Sequence, residues 1–227
     1  MIVLLFLACA AAGYLLGGFN GAILISRWLR KEDIRTKGSG NAGLTNFYRN
    51  YGGMDTFLVL FIDIAKTVLA CFIGGWILGA YDPAWIEEGQ MFCGGFSVIG
   101  HIFPIYFGFR GGKGILTCAT VAAFMGWQII LILLAIFIVV VVLTRFVSLG
   151  SILSCVAYPF LFWWRFYRTP MLVILSVCLA ALAIGMHHEN IKRLIHGKER
   201  KFSFRRKPAN AACAQAPEKA SEKQINQ

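Results

Sequence analysis

ILTCATVAAFMGWQIILILLAIFIVVVVL, residues 115–143, is the stretch on which the fold turns: 29 residues without one charge. Wound as a single α-helix at about 1.5 Å per residue it would run roughly 43 Å, well past a hydrocarbon core of about 30 Å. Gly126-Trp127-Gln128 near its middle is the natural place to divide it. Outward on both sides lie further apolar runs: Ile2 to about Ser26, Phe57 to Ala80, Met91 to Phe109, Leu149 to Trp164 and Met171 to Met186. Only 15% of the 227 residues are charged and the mean hydropathy is +0.66, whereas a soluble domain carries about 25% charged residues. The fold class is therefore all-α, a polytopic membrane bundle. It forms one domain over 1–207, with a polar, aperiodic tail at 208–227 expected to be disordered.

The division at Gly126 also settles parity. A basic cluster (Arg27, Arg30, Lys31, Arg35, Lys37) follows the first run, and another (Lys192, Arg193, Lys198, Arg200, Lys201, Arg205, Arg206, Lys207) follows the last. Positive charge favours the cytoplasmic side, and both clusters lie there only if an even number of crossings separates them. Two spans within 115–143 meet that condition and give seven in all, N-out and C-in. The loop Tyr81–Gln90, acidic and without a base, suits the outside; Arg165 and Arg168 run against the pattern. The net charge of +11 sits in short loops and the tail, which implies membrane lipid and no nucleic acid as partner. Seven scattered cysteines, with no CxxC pair, read as small buried hydrophobes. The apolar start has no basic n-region, so no cleaved signal peptide is expected.

Gly13, Gly17, Gly18 and Gly21 recur at helical spacing, a seam for close helix packing. Asp63 and Lys66 stand at i, i+3 inside the second run, where ionisable groups are costly and face a protein interior or a polar cavity. They read as a structural pair, with a direct functional role left open.

Three polar islands remain. Lys37-Gly-Ser-Gly-Asn-Ala-Gly-Leu-Thr-Asn-Phe-Tyr-Arg49 is rich in glycine and small hydrogen-bonding side chains, and Gly38, Ser39, Gly40, Asn41, Thr45, Asn46 and Arg49 are its candidate anion ligands. Gly108-Phe-Arg-Gly-Gly-Lys-Gly114 offers Gly111, Gly112, Lys113 and Gly114 as a backbone nest with one lysine. It is no nucleotide P-loop, since Gly114 stands where Ser or Thr belongs and Phe107 where the first glycine belongs. The third, around His187, places Asn190 at i+3 with Lys192 and Arg193 beside it. The seven-crossing topology puts all three on the cytoplasmic face. Ordinary positive-inside loops account for the lysines and arginines, but not for the dense Gly/Ser/Asn/Thr run or the glycines flanking Lys113.

Gly-Ser-Gly-Asn-x-Gly-x-Thr-Asn-x-x-Arg (38–49), Gly-His-x-Phe-Pro…Gly-Gly-Lys-Gly (100–114) and His-x-x-Asn-Ile-x-Arg…Gly-x-Glu (187–199) together resemble the three motifs of the bacterial acyl-phosphate:glycerol-3-phosphate acyltransferases, the PlsY family. The resemblance spans about residues 1–204; His188 stands where arginine is common. It implies transfer of a fatty acyl group from acyl phosphate to the 1-hydroxyl of glycerol 3-phosphate at the inner membrane, with no cofactor or metal. It also implies catalytic roles for Ser39, His187 and Asn190, and substrate contacts for Arg49, Lys113 and the glycines. Glu199 would support the structure, and an enzyme that makes acyl phosphate is an implied partner.

Both substrates would bring a phosphate dianion, and cations must intervene. A unit pair at 4 Å and an effective dielectric near 20 is worth about 4 kcal/mol. Arg49 suits a bidentate clamp and Lys113 a point charge. The base is His187 by residue type, or else a phosphate oxygen of the substrate. Two other readings compete. A transporter of a phosphorylated solute would show internal sequence repetition, and none is found. An acyltransferase with another donor such as acyl-CoA often carries His-x4-Asp, and no histidine here has that partner.

Overall fold

The computed structural model describes residues 1–202; the expected disordered tail at 208–227 lies outside them. Among the described residues there are helices and turns but no strand. The helices are α1 (Ile2–Gly17), α2 (Gly21–Arg30), α3 (Leu44–Asn50), α4 (Asp55–Gly79), α5 (Ile86–Ile102), α6 (Ile115–Met125), α7 (Trp127–Thr144), α8 (Val147–Phe166), α9 (Pro170–Gly185) and α10 (His188–Ile195).

The long apolar run does divide at Gly126, whose extended backbone ends α6 and starts α7. Among the described residues, five helical stretches are long and apolar enough to cross a membrane, or six with α9 and α10, bent by 57°, taken as one. Helix α6 has 11 residues, about 16 Å at the standard rise, half a hydrocarbon core. The first run is also less simple than its composition suggested. It breaks at Gly18–Asn20, and Asn20 restarts the chain by accepting Ile23 N–H at 3.1 Å.

The packing centre is α1 with α4 and α5. Gly17 lies against the backbone of Ser97, and Gly21 would place a Cβ 2.8 Å from the Val59 carbonyl, so the small-residue seam serves α5 first and α4 next. A second core, built on Val98, Val121, Cys155, Phe162 and Leu172, joins α5 to α6, α8 and α9. Five of the six described cysteines are buried thiols, while Cys178 is exposed on α9. Helix α7 buries only Ile129 and Leu133. Its outer face, like Phe61, Trp76 and Trp163 elsewhere, is apolar and exposed, as befits a bundle whose solvent there is lipid.

Candidate active site

The three islands meet at one end of the bundle. In the first, Asn46 is the organiser. Its Oδ1 accepts Ser39 N–H at 3.0 Å and Asn50 Nδ2 at 3.1 Å, while its Nδ2 donates to Lys37 O at 3.1 Å and Asn41 O at 3.0 Å. Gly38 is required twice over: its φ of +60° is left-handed, and a Cβ there would strike the Asn46 and Asn50 amides. The result leaves Ser39 and Arg49 exposed, with Asn41 and Thr45 half-buried.

Gly111 and Gly112 behave differently from the open nest their sequence suggests. Gly111 N–H donates to Ile102 O at 3.0 Å and Gly112 N–H to His101 O at 3.1 Å, so both amides close the end of α5. The loop is drawn onto the first island by Ala42 N–H, which reaches Gly111 O at 3.4 Å. What stays available is Lys113 and the start of α6, where Gly114 (φ +80°) provides no side-chain cap.

Lys113 donates to Asn190 Oδ1, and Asn190 Nδ2 donates to Glu199 Oε1 at 2.7 Å. Glu199 also accepts from Ser148 Oγ at 2.8 Å and, on its other oxygen, from Arg193 Nε at 2.8 Å. Burial alone would raise the Glu199 pKa, but these donors outweigh it and hold the carboxyl below its usual range. Burial pushes the Lys113 ammonium down to about 8, with the charges of Arg193 and Arg49 adding to it and Glu199 opposing.

His187 is buried in the turn between α9 and α10, and Ala183 O lies 2.7 Å from its Nδ1. A carbonyl can only accept, so Nδ1 carries the proton and Nε2 the lone pair. Burial lowers the imidazole to about 4, the Lys113 charge adds to that, and Ala183 O and Glu199 oppose it. It is neutral at physiological pH. Lys192, by contrast, turns away: it is exposed and pairs with Glu189 at 3.3 Å.

Sequence reasoning did not find Ser148, which lies on α8 with no motif around it, and it took Asn46 for an anion ligand, whereas that side chain is buried and spent on the loop's own backbone and on Asn50. It also read the first basic cluster as bare charge. Arg27 and Arg35 both pair with Asp33 (2.9 and 2.7 Å), Arg30 pairs with Asp55, and Lys37 sits 3.3 Å from Glu32. Arg35 further donates to Phe107 O at 2.6 Å, tying this cluster to the second island. Arg49 and Lys113 differ from those paired cations. They interact electrostatically with each other, and among the described residues neither has a carboxylate within ion-pair distance.

The model of the glycerol-3-phosphate acyltransferase family matches residues 7–197. The chain belongs to that family. A glycerol-3-phosphate acyltransferase from Thermoanaerobacter pseudethanolicus is 41% identical over 196 residues, covering 85% of this chain and 93% of that one. One from Shewanella woodyi is 36% identical over 207 residues, covering 91% and 98%. Among solved structures, the glycerol 3-phosphate form of PlsY, an integral membrane glycerol 3-phosphate acyltransferase, superposes with a TM-score of 0.78. It shares 30% identity and covers 87% of this chain and 96% of that one. The lysophosphatidic acid form gives 0.76 at 29% identity. The acyltransferase therefore shares sequence over most of its length, and its helical scaffold, with these relatives.

Proposed function

We propose that the chain moves a fatty acyl group from acyl phosphate to the 1-hydroxyl of sn-glycerol 3-phosphate, giving lysophosphatidic acid and inorganic phosphate. The observation that carries this is the pair of cations Arg49 and Lys113, brought close enough to interact from separate islands and without an ion-pair partner among the described residues, while Arg27, Arg30 and Arg35 of the first basic cluster are paired off. Two phosphates need two such charges. The glycerol 3-phosphate and lysophosphatidic acid forms of PlsY supply the same acceptor and product chemistry. The site lies at the cytoplasmic face of a bacterial inner membrane, in the seven-crossing, N-out and C-in arrangement, with α6 as a half-span whose N-terminus opens on the phosphates.

In this reading Ser39, Gly38, Gly40, Asn41, Thr45 and Arg49 hold glycerol 3-phosphate, and Lys113 with Gly114 holds the acyl phosphate. Gly111 and Gly112 shape the loop, and Arg193 adds charge through Glu199. The hydroxyl oxygen attacks the acyl carbonyl carbon. The new C–O bond forms, the bond from that carbon to the phosphate oxygen breaks, and phosphate leaves. The first amides of α6 and the second N–H of Asn190 stabilise the transient oxyanion. His187 Nε2 accepts the hydroxyl's hydrogen bond and aims it. Because the imidazole stays neutral down to about pH 4, it is a poor base, and the proton passes to an oxygen of the departing phosphate. An acyl phosphate is already activated, so no acyl-enzyme step on Ser39 is needed.

Arg49→Ala is expected to raise KM for glycerol 3-phosphate about 30-fold, with KM for acyl phosphate within twofold, as loss of a charge-assisted clamp predicts. Steady-state kinetics with each substrate varied in turn reads this directly. An unchanged KM for glycerol 3-phosphate removes Arg49 from the clamp.

A further inference from the structure

Asp63, Lys66 and His101 form a buried charged cluster that takes no part in the chemistry described above. Lys66 Nζ lies 2.7 Å from Asp63 Oδ1 and 3.0 Å from His101 Nδ1. It also donates to Gly17 O and Phe19 O, each at 3.0 Å, at the break between α1 and α2. Asp63 Oδ1 accepts Gly21 N–H at 3.1 Å on the far side of that break. Asp63 Oδ1 also lies 3.4 Å from His101 Nδ1, so that ring nitrogen meets both the ammonium and the carboxylate.

These contacts belong to a closed circuit. Between Phe19 and Gly21 stands Asn20, whose Nδ2 donates to Ala42 O of the first island at 3.0 Å. Ala42 N–H reaches Gly111 O of the second island. Gly112 donates back to His101 O and packs so closely against the His101 ring that an added Cβ would collide with it, and would also come within 2.8 Å of Ala42 O. Lys66 Nζ and Asp63 Oδ1 both meet the same ring, and the circuit is complete. Two islands from distant parts of the chain are thus referred to one buried node. Two charges buried together gain little net stability, because desolvation offsets their attraction. What the node supplies is a fixed geometry.

We propose that the Asp63–Lys66–His101 cluster is a positioning group that sets the separation between the glycerol 3-phosphate island and the Lys113 island. This rests on the two-phosphate reading of the site. That reading stands or falls on the donor preference of the parent enzyme, which no cluster variant enters, so the two failures are distinguishable. Each half-site is built from its own local bonds, so loosening the node misaligns two bound substrates without unbinding either. Misplacement of about 1 Å costs on the order of 10²-fold in rate at most, and a partial loosening costs less.

The test is steady-state kinetics per unit of folded, monodisperse protein in detergent, for Asp63→Asn/Lys66→Met, His101→Leu and His101→Asn. The charge-neutral double variant and His101→Leu are expected to lose about tenfold in kcat, with both KM values within twofold of the parent. His101→Asn puts an amide, able to donate or accept, where Nδ1 stood and is expected to keep kcat within about threefold. If the double variant fails to fold, the two His101 variants carry the test alone. Unchanged kcat in His101→Leu, whatever its Tm, would overturn the proposal. So would equal loss in His101→Leu and His101→Asn, or a rise in one KM at constant kcat.

Discussion

Lys113→Met is expected to lower kcat/KM for acyl phosphate by about 10²–10³-fold, the range seen when a preorganised charge at a developing anion is removed. The lysine is held on one side by Asn190 Oδ1, and Asn190 is held in turn by Glu199. The ammonium is therefore aimed before substrate arrives. Its charge is also fragile: burial and the cations Arg193 and Arg49 push it down to about 8. A cation with a lowered pKa is fully charged below that value and loses its proton as pH rises through it. In the parent, kcat/KM should fall about tenfold per unit above pH 8 through Lys113. Bound phosphate stabilises the ammonium, so kcat should hold to higher pH. In Lys113→Met the Lys113 limb near pH 8 should be absent. A parent profile flat through pH 9 would contradict the lowered pKa, and a variant that keeps both the limb near 8 and the parent's kcat/KM would remove Lys113 from the phosphate.

His187→Ala is expected to lower kcat by about 10²-fold with both KM values little changed. The imidazole is buried and its Nδ1–H is committed to Ala183 O, which turns Nε2 toward the acceptor role. If that role is aiming the hydroxyl, an amide oxygen can substitute, and His187→Gln should keep kcat within about tenfold of the parent. If His187 instead takes the proton, His187→Gln should be as slow as His187→Ala. Comparing the two variants at saturating substrate therefore separates a base from an aiming group. A kcat near the parent's in His187→Ala would place the residue outside the reaction altogether.

The class of the fold was written in composition, because lipid demands apolar faces and helices that satisfy their own backbone. The division at Gly126 was legible for the same reason: a 29-residue apolar run overshoots a bilayer. The break at Gly18–Asn20 was not, since a run from Ile2 to Ser26 looks continuous when only side-chain polarity is counted. The break is held by Lys66 and Asp63, which lie more than 40 residues away. Gly/Ser/Asn density marked the first island, but could not say which amides face out. Asn46 spends its whole side chain inside the loop, and Gly111 and Gly112 spend their N–H groups on the end of α5. Ser148 was invisible because one serine on an apolar helix carries no pattern. Its significance comes only from Glu199, which folds back onto it.

The most direct measurement offers purified protein in detergent sn-glycerol 3-phosphate together with acyl phosphate, acyl-CoA or acylated carrier protein, and follows lysophosphatidic acid and phosphate release. The expected result is turnover with acyl phosphate, one phosphate released per lysophosphatidic acid formed, and none with the two thioesters. Acyl transfer from acyl-CoA but not from acyl phosphate would contradict the two-phosphate site.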